Sequence, residues 1–141
     1  MSSHPNLILD TNVLRNKEFI IWVKSNYHGK IETSPVAYME LRRQLLNSPS
    51  KLEKFEEILS SANITVASFT KKEAIFAAEL MHRNMKVCEK CKKIDWADTM
   101  IYASIGNPPT LLVTDNVDDF PDKRVMTPND VMDKYKVNAW G

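Results

Sequence analysis

The chain has 141 residues, 43% hydrophobic and 26% charged, with Lys+Arg 19 against Asp+Glu 18 and a formal net charge of +1. This is the composition of one ordinary globular domain, expected to span residues 1–141. It excludes a protein that coats nucleic acid by charge alone, and 3 Gly with 7 Pro exclude collagen-like and low-complexity chains.

Two Cys do not make a disulfide-stapled secreted fold. The opening MSSHPNLILD carries neither the basic start of a signal peptide nor an apolar run long enough to cross a membrane, so the expected compartment is the reducing cytoplasm.

In chain order, Leu7-Ile8-Leu9 reads as a short buried strand and Asn12 to Ser25 as one helix, broken by His28-Gly29. Lys30 to Thr33 is a second strand. Ser34-Pro35 opens a helix, with Ser as N-cap and Pro at the first helical position; Ala37, Leu41 and Leu45 fall on one face of it. Asn47-Ser48-Pro49 ends that helix, and Leu52, Phe55 and Leu59 carry the next. Ile64 to Val66 is a third strand. Thr70-Lys-Lys-Glu73 is a capping box before a helix with Ala74, Ala77, Ala78, Met81 and Met85 at helical spacing. After a loop from Val87 to Lys93, Asp95 caps a helix that stops at Gly106. Leu111 to Thr114 is a strand, Val125-Met126 a weak one, and Thr127-Pro128 starts a last helix. Strands separated by helices give an α/β fold, a central parallel sheet with helices on both faces.

Such sheets bind ligands at the carboxyl ends of their strands. Asp10 and Asp115 each directly follow a predicted strand. Either alone is an ordinary strand-ending or helix-capping residue; two in one crevice suggest more. Asp98 heads a helical stripe with Ile101, Tyr102 and Ile105, where an unpaired carboxylate costs several kcal/mol, roughly. Glu40, taken alone, pairs with Arg43 or Gln44 on a solvated face. If Asp10, Glu40, Asp98 and Asp115 converge, their mutual repulsion calls for cations, and hard oxygen ligands suit Mg²⁺ or Mn²⁺. Metal-assisted phosphodiester hydrolysis is the natural chemistry of such a set.

Leu-Asp10-Thr11-Asn12-Val-Leu, Glu40 in VAYMEL, Asp98 in WADTMIYAS and Thr114-Asp115-Asn116-Val-Asp-Asp119-Phe120 resemble, in order and spacing, the acidic blocks of PIN-domain ribonucleases. The size is similar to that of the toxin nucleases of VapBC toxin–antitoxin pairs. The resemblance implies a three-layer PIN-like sandwich and a Mg²⁺- or Mn²⁺-dependent endoribonuclease acting on RNA. It also implies a homodimer and, for a toxin, an antitoxin protein partner. Asp10, Glu40, Asp98 and Asp115 carry over as metal ligands and catalytic residues, and Asn12 as the polar residue beside the first acid. Some members place the fourth acid at the position of Asn116; Asp118 and Asp119 are further candidates.

Cys88-Glu-Lys-Cys91 has only His82 nearby, short of the four ligands of a zinc site, and reads as two ordinary thiols. Arg83, Lys86, Lys90, Lys92 and Lys93 form a basic run that is either a solvated loop or a phosphate-holding one; Arg42 and Arg43 are similar. Trp22 and Trp96 are expected in the core and Trp140 in the tail, and His4, His28 and His82 show no ligand spacing. A haloacid-dehalogenase-like phosphatase needs a second acid two residues after the first, where this chain has Asn12. The same residues are compatible with a PIN nuclease that processes RNA without being a toxin, and with a non-catalytic RNA- or partner-binding module that keeps a residual acidic pocket.

Overall fold

A computed structural model describes residues 4–87, 96–105, 110–117, 120 and 124–136, and the side chains of all of these except 83–87 and 96–98. The order is β1 (Asn6–Leu9), α1 (Thr11–Leu14), α2 (Lys17–Asn26), β2 (Ile31–Thr33), α3 (Pro35–Leu45), α4 (Pro49–Ser61), β3 (Ile64–Val66), α5 (Lys71–Val87), α6 (Trp96–Ala103), β4 (Thr110–Val113), β5 (Val125–Met126) and α7 (Pro128–Tyr135).

All five strands are parallel and lie in the order β3-β2-β1-β4-β5. Leu7 pairs with Ile31 on one side and Leu111 on the other; Leu9 pairs with Thr33 and Val113. The chain lays down β1, β2 and β3 outward in one direction, then returns to place β4 against the other edge of β1. The direction of winding therefore reverses between β1 and β4.

Successive side chains of a strand point to opposite faces, and β1 fills both. Leu7 and Leu9, fully buried, pack with Phe19, Ile20 and Val23 of α2, Phe55 and Leu59 of α4, and Val131 of α7. Ile8 packs on the other face with Val36 and Ala37 of α3, Leu80 of α5, and Ile101 and Tyr102 of α6. Each such burial contributes about 1.5–3 kcal/mol. Continuous apolar runs are what a parallel sheet covered on both sides requires.

Local signals set most helix starts. The Ser34 hydroxyl accepts the Ala37 N–H at 2.9 Å, with Pro35 at the first helical position. Thr127 and Asp130 form a reciprocal capping box on α7. At α5 the Glu73 carboxylate accepts the Thr70 N–H at 3.0 Å, and this bond is the first cause that holds its carboxyl below the usual range.

The single helix expected from Asn12 to Ser25 is two. Asn16 leaves helical geometry, and its side chain accepts the Phe19 N–H at 3.0 Å, which caps α2 and separates it from the single turn of α1. Trp22 is only partly buried and stacks on Phe19 at the rim of the core. The α5 helix reaches Val87. The expected loop beyond it, Asp95, Gly106, Cys88, Cys91 and Trp140 lie outside the described residues, as do the side chains of Arg83, Lys86 and Trp96. No helix among the described residues is long and apolar enough to cross a membrane.

Candidate active site

In an open parallel sheet the ligand crevice lies beyond the carboxyl ends of the strands, where the winding reverses. Here that point is the exit of β1 and β4, occupied by Asp10 and by Thr114-Asp115. Four of the six buried polar residues among the described ones, Asp10, Thr33, Ser34 and Thr114, stand at the carboxyl ends of β1, β2 and β4. Buried polarity is thus concentrated at one end of the sheet.

Asp10 is 5% exposed. Its Oδ1 accepts the Thr11 N–H and its Oδ2 accepts the Thr114 hydroxyl, both at 2.7 Å. Its own N–H bonds to the Val113 carbonyl at 3.0 Å. Among the described residues the ion pairs are Lys30–Glu32 and Arg42–Glu56, so no protein cation of that set neutralises Asp10. Each carboxylate oxygen retains acceptor capacity beyond its one hydrogen bond.

The surroundings tie the two strand exits together. Thr114 is fully buried, and its hydroxyl also accepts the Asn116 N–H at 3.1 Å. The Asn12 side-chain oxygen accepts the Asp115 N–H at 3.3 Å. Thr33 donates to the Leu9 carbonyl at 2.9 Å, which joins the β2 exit to that of β1.

Glu40 lies mid-way along α3, one turn beyond Val36 and Ala37, on the face that packs against α6. It is half-buried, and Arg43 and Gln44, three and four residues further along the same helix, are exposed. Asp98 is in the first turn of α6, three residues before buried Ile101; its side chain lies outside the described residues. Asp115 is exposed, and Asp118 and Asp119 are outside the described set.

The sequence model of the PIN domain matches residues 7–118. The chain belongs to the PIN domain family. Its fold is similar to three solved structures. VapBC-1 from nontypeable Haemophilus influenzae matches at TM-score 0.71 and 16% identity, over 88% of this chain and 98% of that one. DNA-bound VapBC from Salmonella typhimurium matches at 0.66 and 20%, over 89% and 99%. VapBC2 from Rickettsia felis, bound to a promoter DNA fragment, matches at 0.63 and 18%, over 86% and 96%. A search of curated proteins finds no match in sequence.

Within this PIN domain, sequence reasoning misses Thr114 as a partner of Asp10. The hydroxyl beside a strand-end acid is visible, but not that it faces an acid 104 positions earlier. Arg42, a candidate phosphate ligand by sequence, is engaged elsewhere. It meets Glu56 at 3.2 Å and the Tyr38 hydroxyl at 3.3 Å, in a link between α3 and α4. The bond from the Tyr38 hydroxyl to Glu56 is also the first reason that hydroxyl titrates above its ordinary range.

Among the described residues no group of three or more His, Cys, Asp or Glu side chains could hold a metal ion. Mg²⁺ is nevertheless usually held by one or two carboxylates with waters completing the shell. A buried carboxylate that no described cation neutralises, with spare lone pairs on both oxygens, fits a hard divalent cation.

Proposed function

We propose that this PIN domain is a Mg²⁺- or Mn²⁺-dependent endoribonuclease and the toxin of a toxin–antitoxin pair. The observation that carries the reading is Asp10. It is a buried carboxylate with no counter-charge among the described residues, held by two 2.7 Å hydrogen bonds at the winding reversal of a parallel sheet. Asp10, Glu40, Asp98 and Asp115 are the metal ligands in this reading. When bound, the metal supplies a Lewis acid and a nucleophilic water at neutral pH for in-line attack on an RNA phosphodiester.

The chain's own contribution is placement. Thr11 and Thr114 fix the plane of the Asp10 carboxylate. Asn12 keeps the β4 exit, and with it Asp115, beside the β1 exit. Half-buried Glu40 and the first turn of α6 bring the second and third acids to neighbouring helices. The likeness to VapBC complexes supports an antitoxin protein as partner; a homodimer is what the family resemblance implies. Met39 on α3 and Leu46 just after its C-terminal end, 60% and 57% exposed, supply apolar surface for another chain.

The test is cleavage of a panel of structured and single-stranded RNAs by purified protein with Mg²⁺ or Mn²⁺. Cleavage should stop in EDTA and in Asp10→Asn, and leave 5′-phosphate and 3′-hydroxyl ends. Undiminished cleavage in EDTA, or a parental rate in Asp10→Asn, refutes the reading.

A further inference from the structure

The amino end of the sheet, opposite the acidic site, carries a second constellation. His4 and Pro5 lead into β1, Tyr27, His28 and Gly29 join α2 to β2, and Tyr135 closes α7. The His4 ring lies 4.7 Å from Tyr27, 5.2 Å from Tyr135 and 5.4 Å from His28, centroid to centroid. Its Nδ1 accepts the His28 N–H at 3.1 Å. The Tyr27 hydroxyl donates to the Pro5 carbonyl. Gly29 packs so closely on the Pro5 and His4 carbonyls and the Tyr27 ring that a β-carbon would strike all three.

We propose that His4 is the pin of a pH-sensitive clasp, shut while its imidazole is neutral and opened when Nδ1 takes up a proton. A protonated Nδ1 has no lone pair for the His28 N–H. The new charge would face the His28 imidazole, the Tyr27 and Tyr135 phenols and, over the Tyr135 ring at 5.6 Å, the Lys134 ammonium. Aromatic faces attract cations, but Lys134 already occupies Tyr135, and no carboxylate among the described residues adds a counter-charge to His4. Burial first, and His28 second, hold the His4 imidazole below its ordinary titration range.

The sign follows by linkage. The unfolded chain takes up the proton at the ordinary imidazole pKa of about 6.5, above the folded value. Stability from the clasp is therefore complete above that pH, lost as pH falls toward the depressed folded value, and flat below it. Opening releases the chain before β1 and the last turn of α7. The next bond inward, Leu7 N–H to the Lys30 carbonyl at 2.8 Å, borders the freed segment.

The experiment is nitrogen-detected NMR of the full chain with amide hydrogen exchange, from about pH 7.5 down to about pH 5, the imidazole range. Neutral His4 should carry its proton on Nε2. The His28 amide should lose protection as His4 titrates, with Leu7 following. His4→Phe keeps a ring without the acceptor and should show no such pH dependence. His28→Gln keeps the backbone donor, removes the second charge, and should raise the pH at which His4 titrates. A neutral His4 protonated on Nδ1, or the same pH-dependent loss in His4→Phe, overturns the clasp.

Discussion

Replacing Thr114 by Val keeps the shape of a fully buried side chain and removes one hydroxyl. That hydroxyl donates to Asp10 Oδ2 at 2.7 Å and accepts the Asn116 N–H at 3.1 Å. Asn116 is exposed, so water replaces its lost acceptor at little cost. Asp10 is buried, so its oxygen loses a charge-assisted hydrogen bond worth about 1.5–3 kcal/mol. With a urea m value of about 1–3 kcal/mol per molar, the midpoint should fall by roughly 1 M. The domain still folds, since total stability is about 5–15 kcal/mol. If Asp10 is a metal ligand as proposed, releasing its outer partner should lower RNA cleavage by about 10–100-fold, the usual effect of losing such a partner. Thr114→Ser restores the hydroxyl and should recover most of both. Parental urea stability together with a parental cleavage rate in Thr114→Val would refute the argument, because the bond would then neither stabilise nor orient Asp10.

Other substitutions test separate steps. Asn16→Ala removes the cap of α2 and should destabilise the fold by about 1 kcal/mol in urea, without altering cleavage. Gly29→Ala places a methyl group against two backbone carbonyls and should cost about 1–3 kcal/mol by the same assay. Asp98→Asn should cripple cleavage while the metal-free protein melts no lower than the parent, since one of several like charges is removed; a mutant that melts well below the metal-free parent makes Asp98 a structural residue.

What is legible in the sequence is local. Leu7-Ile8-Leu9 is a strand because an unbroken apolar run suits a sheet covered on both faces, Ile64 to Val66 is an edge strand of β-branched residues with only Ile64 buried, and Ser34-Pro35 and Thr127-Pro128 start helices because cap and ring act within one turn. Asn16 hides inside an apparently continuous helix, although Asn with Glu18 in the following turn is itself a helix-start pattern. Strand order is not legible: no residue near β4 states that it pairs with β1 rather than β3. Asp10 stands out because it ends a strand in a known acidic pattern. Thr114's hold on Asp10 does not, because it depends on that pairing. Glu40 shows the same limit: its immediate neighbours suggest a solvated face, while in the fold it is half-buried on a helix that packs against α6.

The pairing of β1 with β4 also sets a clock. Ribosomes add about 5–20 residues per second, so Thr114 is made roughly 5–20 s after Asp10, from which it is separated by 104 positions. During that interval β1 has at most β2 and β3 beside it, and the Asp10 carboxylate lacks its second donor. A nascent or prematurely terminated chain therefore carries the first acid without the frame that orients it. If the domain cleaves RNA as proposed, that activity should be absent from chains that end before Thr114, because the hydroxyl that holds Asp10 Oδ2 has not yet been made.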